Sequence, residues 1–455
     1  MSRRGSRVRV PSAPPFLGAL REIAPETVRL SRGLRGLPAV DQIVLTSLKD
    51  AARSGGAILR QITHPGTFVF ASRDLQDGKV SAQIYRNSDI HVVRLDEAQL
   101  VLHKYLLIDR AQMVHGGLTY NDYTIVDPVI DPYGFSRGPR LVRGDEFLSA
   151  AELRVPEHGH TELSDGIWIN GQTTPEPFFG HWLHENLAKI IALEDAGIHS
   201  GRLWIRKSVP SRFLDWISLV SKGDWVTEKI DTDVAPKLRN VIIPSAVNYR
   251  SRYGGAPCAW VDGLTRLRER ARAAVGDFTR SRSGNRRPVA LYVARSSQWR
   301  NLVNAEAVRE IFERFFELRE VRFEAMSPEE QVKAVTGVDV IFGPSGSSMP
   351  VVMFADVGTV VCEFFNPKNE GKWAAKVFCD VFGLPHVRID GVPHGENLGP
   401  TPADSNYTVD LGLVEVKAAA IYRFVSDRFA TRDRHDFSGI SPEILSPITA
   451  SDRSR

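Results

Sequence analysis

Two short stretches carry side chains whose types and spacing could do chemistry. "GHWLHE", residues 180–185, sets His181, His184 and Glu185 three and four positions apart, so a helix there would carry them on one face. An imidazole or a carboxylate in that place is a candidate for taking a proton from a hydroxyl. "GPSGSS", residues 343–348, joins the apolar strand "VDVIF" to a helix-like restart, "MPVVMF". Small residues let backbone approach a ligand closely, and fresh N–H groups at a helix start favour an anion. A tight turn uses the same residues, and taken alone the stretch reads as a turn.

The elements around "GPSGSS" change that reading. "VALYVA" is a strand, and "NAEAVREIFERFF" is a helix with Asn304 as N-cap and an apolar stripe of Val308, Ile311, Phe312 and Phe315. "VRFEAM" is a strand, "SPEEQVKAV" a helix opened by the capping box Ser327 to Glu330, and "VDVIF" a strand. "TVVCEFF" and "HVRID" are strands flanking the helix "KWAAKVFCDVFG". Strand and helix alternating in this way predict a doubly wound parallel sheet, whose ligand crevice lies at the carboxyl ends of the strands. The 343–348 loop follows a strand and so falls on that edge, which favours the anion. Arg295, just after "VALYVA", would add a cation, and Glu363, closing "VVCEF", could accept from a ribose hydroxyl.

Upstream, "PFFGHWLHENLAKIIALEDAG" predicts a helix with Gly197 as its C-cap. "RLWIRK", "DWVTEKI" and "RNVIIPS" read as strands, and "SRFLDWISLVS" and "WVDGLTRLRERARAAVG" as helices. Strand-like runs such as "GTFVFAS", "HVVRL", "YLLIDRAQMV" and "YTIVDPVI" make residues 41–160 a β-rich region. The expected division is therefore a disordered tail over 1–40 that looks like translated sequence upstream of a true start, the β-rich region 41–160, and a Rossmann-like domain 161–278. A basic linker follows at 279–288, then a second Rossmann-like domain 289–405 and a C-terminal helix and tail 406–455.

Composition is that of a soluble globular chain: 455 residues, 42% hydrophobic and 25% charged. With 58 basic against 54 acidic residues, no strongly basic face for nucleic acid is indicated. Three cysteines without a C-x-x-C pattern exclude a disulfide framework or zinc knuckle. A cytoplasmic protein is expected, since neither a spanning stretch nor a signal peptide is evident.

The second half resembles glycosyltransferase family 61, many of whose bacterial members are capsular-polysaccharide-type sugar transferases. The resemblance rests on Arg295, Arg300 and Asn304, then Gln331, the Gly343-Pro344-x-Gly346 loop and Glu363, with "FGHWLHENLAKI" similar to an aromatic-x-H-W-x-x-E-x-L-P motif. It spans about residues 165 to 370. It implies a GT-B-like pair of Rossmann domains that transfers a sugar, with inversion and without a metal, from a nucleotide-sugar donor to a glycan or lipid-linked saccharide. By the same resemblance His181 and Glu185 are the catalytic pair, and Arg295, Arg300, Asn304, Gly343, Pro344, Ser345, Gly346, Ser347 and Glu363 hold the donor. No cofactor is implied, and lipid-linked acceptors would place the protein at the inner face of a membrane. The family loop reads Gly-Pro-His-Gly-Ala, whereas Ser345 and Ser347 stand here for its His and second small residue. Serine cannot be cationic, so the alternative is a weakened or inactive member that binds nucleotide or glycan.

Other chemistries fit less well. H-x-x-H-E is neither zinc-hydrolase order, and "GPSGS" lacks the final glycine of a nucleophile elbow. "DTD", 231–233, reads as loop charge. Trp182, Trp204, Trp216 and Trp260 read as core, and Trp299 as the aromatic best placed to meet a sugar or base.

Overall fold

The structure is a computed structural model. It describes residues 28–29, 42–45, 52–53, 56–63, 66–73, 80–87, 90–101, 105–108, 112–115, 161–169, 178–231, 236–245, 258–276, 287–295, 300–366, 368, 375–395 and 405–432. "YTIVDPVI", nearly all of the 279–288 linker, Thr232, Asp233 and Trp299 lie outside these residues.

The labelled strands of the first half are β1 (Gly66–Arg73), β2 (Val80–Asn87), β3 (His91–Val101), β4 (Ile167–Trp168), β5 (Ser200–Arg206), β6 (Asp224–Ile230) and β7 (Lys237–Pro244). Strands β6, β5, β4 and β7 lie side by side in parallel, and β3 joins β7 antiparallel, Ile243 opposite Val93. Four further strands continue the sheet from β3, through Tyr105–Ile108 and Gln112–His115 to Gln42–Leu45 and Val28–Arg29. The β-rich region and the parallel strands thus share one sheet, and Val28–Arg29, inside the expected tail, pairs with Gln42 and Ile43. Hairpin β1–β2 stands apart from that sheet.

Among the described residues, the helices that serve this half include α1 (residues 179–195), α2 (Ser211–Val220) and α3 (Val261–Val275). In α1 the residues Leu183, Leu187, Ile190 and Ile191 are fully buried, as a helix enclosed by neighbours requires. Gly197 takes φ +82° just past its end, and its N–H bonds the Glu194 carbonyl.

The second half holds β8 (Val289–Val293), β9 (Glu317–Val321), β10 (Val340–Pro344), β11 (Val360–Phe365) and β12 (His386–Asp390) in the order β9-β8-β10-β11-β12, all parallel. Alternation along each strand divides its side chains between two cores. Val289, Leu291, Val293, Ile341 and Val361 face one; Ala290, Tyr292, Val340, Phe342, Cys362 and Phe364 face the other. The second core is closed by α4 (Ala305–Phe315) and, much later, α7 (Leu411–Arg432). The first takes α5 (Pro328–Val335), the 3₁₀ helix Met349–Phe354 and α6 (Lys376–Phe382). The capping box forms as expected, Ser327 and Glu330 bonding each other's backbone N–H. "VRFEAM" is not a strand: pairing ends at Val321, and Phe323–Ala325 turns as 3₁₀. Gln331 stabilises that turn by donating to the Phe323 and Met326 carbonyls.

The first core is shared between the halves. Trp216 of α2 stacks on Phe354 at 5.3 Å and 18°. Arg272 of α3 bonds the Phe354 carbonyl at 2.8 Å and Asp356 at 2.7 Å, and Arg268 bonds the Ala355 carbonyl. Buried Tyr85 of β2 donates to Asp380 of α6 at 2.6 Å. Four tryptophans, Trp182, Trp204, Trp216 and Trp260, are buried in the cores as their positions predict. Cys362 and Cys379 are buried free thiols. No helix among the described residues is long and apolar enough to cross a membrane.

Candidate active site

Helix α1 follows β4 in the chain and starts at Phe179. Phe178 is extended at its start, and its carbonyl accepts the Trp182 N–H at 3.0 Å. The chain then widens into a π turn over Trp182–Asn186, in which the Leu187 N–H reaches back five residues to the Trp182 carbonyl. Such insertions in an α-helix recur at functional sites. The sequence spacing predicts an uninterrupted helix here, and the π turn departs from it.

On the polar side of this turn, His181 Nδ1 lies 2.6 Å from Glu185 Oε1. His181 is about one-third exposed at 34%, and Glu185 is nearly enclosed at 6%. Burial raises the Glu185 carboxyl, but His181, His184 and Lys189 outweigh it and hold the group below the usual carboxylate range. One turn further in, Lys189 is buried and donates to the Ile169 carbonyl at 3.2 Å. Desolvation pushes its amine down to about 8, against the opposing pull of Glu185. His184 turns toward the second half, its ring 5.5 Å from that of Phe378 in α6.

Across the interface, strand β10 runs through Pro344, so Gly343 and Pro344 are buried strand residues rather than loop, paired with Glu363 and Phe364. The loop proper is 345–348. Ser345 is buried; its N–H bonds the Phe364 carbonyl at 2.8 Å and its carbonyl accepts from Arg295 Nη1 at 3.1 Å. The Arg295 guanidinium lies over Gly346 so closely that a Cβ there would collide with it. Among the described residues, no partner takes the N–H groups of Gly346, Ser347 and Ser348. Arg295 follows β8 and the loop follows β10. Strand order reverses between these two strands, which is the place where open α/β sheets bind ligands.

The two stretches meet. A Cβ on Gly180 of α1 would stand 3.0 Å from both the Ser347 carbonyl oxygen and Pro350 Cγ. Residues separated by more than 150 positions in the chain are thereby in contact at one edge.

The other expected donor residues sit differently. Arg300, at φ +59°, opens a segment tied to residues 405–409: the Asn301 N–H bonds Asn406 Oδ1, and Tyr407 and Asn301 pair through backbone. Asn304 does not cap α4 with its side chain. Its amide donates to the Val409 carbonyl at 2.8 Å and accepts the Val409 N–H. Glu363 is fully buried, held by His386 Nε2 at 2.9 Å and the Ala375 N–H at 3.2 Å, with Oε1 left without a partner. Asp231 pairs with exposed Lys207 at 3.5 Å, in keeping with loop charge.

Sequence reasoning missed the 405–409 strap, in which the Tyr407 hydroxyl donates to the Phe364 carbonyl and Asn366 holds Ser405. Burial raises the Tyr407 hydroxyl above its ordinary range, and the positive charge of Arg295 opposes that. It also missed His386 and Lys189. A lysine inside the apolar run "LAKII", eight residues after His181, was the available signal for the latter.

The model of the family described as Glycosyltransferase 61 matches residues 179–362. It begins at the first residue of α1 and ends one residue before Glu363. Over this stretch the chain is similar to glycosyltransferase family 61, and the mixed α/β fold with parallel sheets is compatible with a glycosyltransferase. No curated protein matches the chain.

Proposed function

We propose that the protein is an inverting, metal-independent glycosyltransferase of GT-B-like architecture. It would move a hexosyl or pentosyl group from a nucleotide-sugar to a glycan or lipid-linked saccharide in polysaccharide biosynthesis, such as capsule assembly, in the cytoplasm or at the inner face of the membrane. The observation that carries the reading is the contact of Gly180 with Ser347 and Pro350. It sets the His181–Glu185 pair beside a loop with unused N–H groups and an adjacent guanidinium.

In this reading the diphosphate lies on the 346–348 N–H groups and Arg295, which offer charge-assisted hydrogen bonds. Glu185 accepts the Nδ1 proton of His181 and so leaves Nε2 as the proton acceptor. The acceptor hydroxyl gives its proton to Nε2 as its oxygen bonds the sugar's anomeric carbon. The carbon–oxygen bond to the diphosphate breaks, and the electron pair leaves with the nucleotide. The test is thermal denaturation of the full chain with UDP, GDP, CMP and dTDP nucleotides and their sugars. A ligand at about a hundred times its dissociation constant stabilises by about 2.7 kcal/mol. One nucleotide class that stabilises wild type but not Arg295→Ala supports the reading; no stabilisation by any of them overturns it.

A second reading, a nucleotide- or glycan-binding protein without turnover, is favoured by one observation. Ser345, standing for the family's loop His, is buried with both backbone groups engaged. Binding without transfer across the same panel would select it.

A further inference from the structure

We propose that His181, His184 and Glu185 form a site for a divalent transition-metal ion of the Zn²⁺ class, and that the ion turns off the proton-accepting function of helix α1. One donor atom from each of the three residues lies within 4.8 Å of the others. Two imidazoles and a carboxylate are a donor set that suits zinc, and three protein ligands leave a fourth position for water. The linear order of the residues argues only against a zinc hydrolase. It does not bear on a site gathered on a single helical turn.

The surroundings favour a site over a chance cluster. The π turn at Trp182–Asn186 carries two of the three ligands. Glu185 is nearly enclosed, so its oxygens cannot be satisfied by bulk water alone. His184 is steadied by the Phe378 ring from the opposite half, and His181 stays about one-third open, which gives an ion a way in.

Inhibition follows from imidazole chemistry and rests on the proposed role of His181. A neutral imidazole bound to metal through one nitrogen keeps its proton on the other. Whichever nitrogen of His181 binds the ion, neither is left to accept a proton. The ion is therefore an off-switch rather than a participant in transfer.

Binding can be tested without any assay of transfer. The full chain, stripped with a chelator, is titrated with ZnCl₂ by calorimetry at neutral pH. Wild type is expected to bind one ion at this site, with protons released as ligands deprotonate. His184→Phe keeps a ring against Phe378 and removes one ligand; it should weaken affinity at least tenfold while leaving the melting curve in place. No binding by folded wild type, or equal affinity in His184→Phe, overturns the site. Transfer with and without Zn²⁺ is then compared within each protein. Zn²⁺ inhibition of wild type that is lost in His184→Phe supports the switch. Binding at the site with undiminished transfer overturns the switch and the His181 assignment together, while the metal site stands.

Discussion

Gly180 and Ser347 are in contact across the two halves, the missing Cβ of the glycine pointing at the serine's carbonyl oxygen, 3.0 Å from where it would stand. Neither backbone can give way easily, since Trp182 and Met349 next to them are fully buried. Gly180→Val should therefore push α1 off the loop, costing about 1–3 kcal/mol through overpacking. Denaturant unfolding measures the cost. Transfer should fall much further than stability accounts for at a temperature where the variant is folded.

Glu185 holds His181 by a single 2.6 Å contact inside a nearly closed environment. Glu185→Gln keeps the shape but no longer favours the proton on Nδ1, so kcat should drop about 10²-fold or more. Stabilisation by nucleotide should be unchanged, because the loop and Arg295 are untouched. Equal loss of nucleotide binding and turnover would show that Glu185 is only a structural brace.

The amine of Lys189 sits at about 8 in the folded protein against 10.5 in the unfolded chain. Between those values the unfolded state binds more protons, so stability rises with pH through this window; below about pH 8 the whole cost of burying the charge is present. Lys189→Met removes that cost. Its stability difference from wild type should shift by about 2 kcal/mol, against the variant, between pH 7.5 and 9.5. Urea titrations of both proteins at the two pH values read this directly, and a constant difference would mean that Lys189 is not buried as a charge.

The second sheet was legible because its central strands β8, β10 and β11 are buried along their whole length and α5 carries its own start signal in Ser327 and Pro328. The His181–Glu185 pair was legible for the same local reason: spacing of four on a helix. What spacing cannot carry is which distant segments touch. The strap at 405–409 engages Asn304, Asn301 and Phe364 from more than 40 residues away, and no periodicity announces it. Asn304 looked like a cap because it precedes a helix; tertiary contact with Val409 took its amide instead. The π turn was hidden because its residues also suit an α-helix, and the sharing of one core by both halves left no mark on either segment.

Ser345 offers the sharpest distinction between the two functional readings. It lies at the end of β10, and Arg295 already bonds its carbonyl, so a side chain there stands at the junction of strand, guanidinium and loop. Ser345→His restores the family's loop residue and a group that can be cationic or donate to a leaving phosphate. The larger ring in a buried position should cost about 1–3 kcal/mol. If the protein is a weakened transferase, kcat should rise at least tenfold despite that cost, measured as sugar released to acceptor with saturating donor. A variant that stays folded, still binds the nucleotide that stabilises wild type, and turns over no faster would decide for the binding protein, because the one family group this loop lacks would then have been returned without effect.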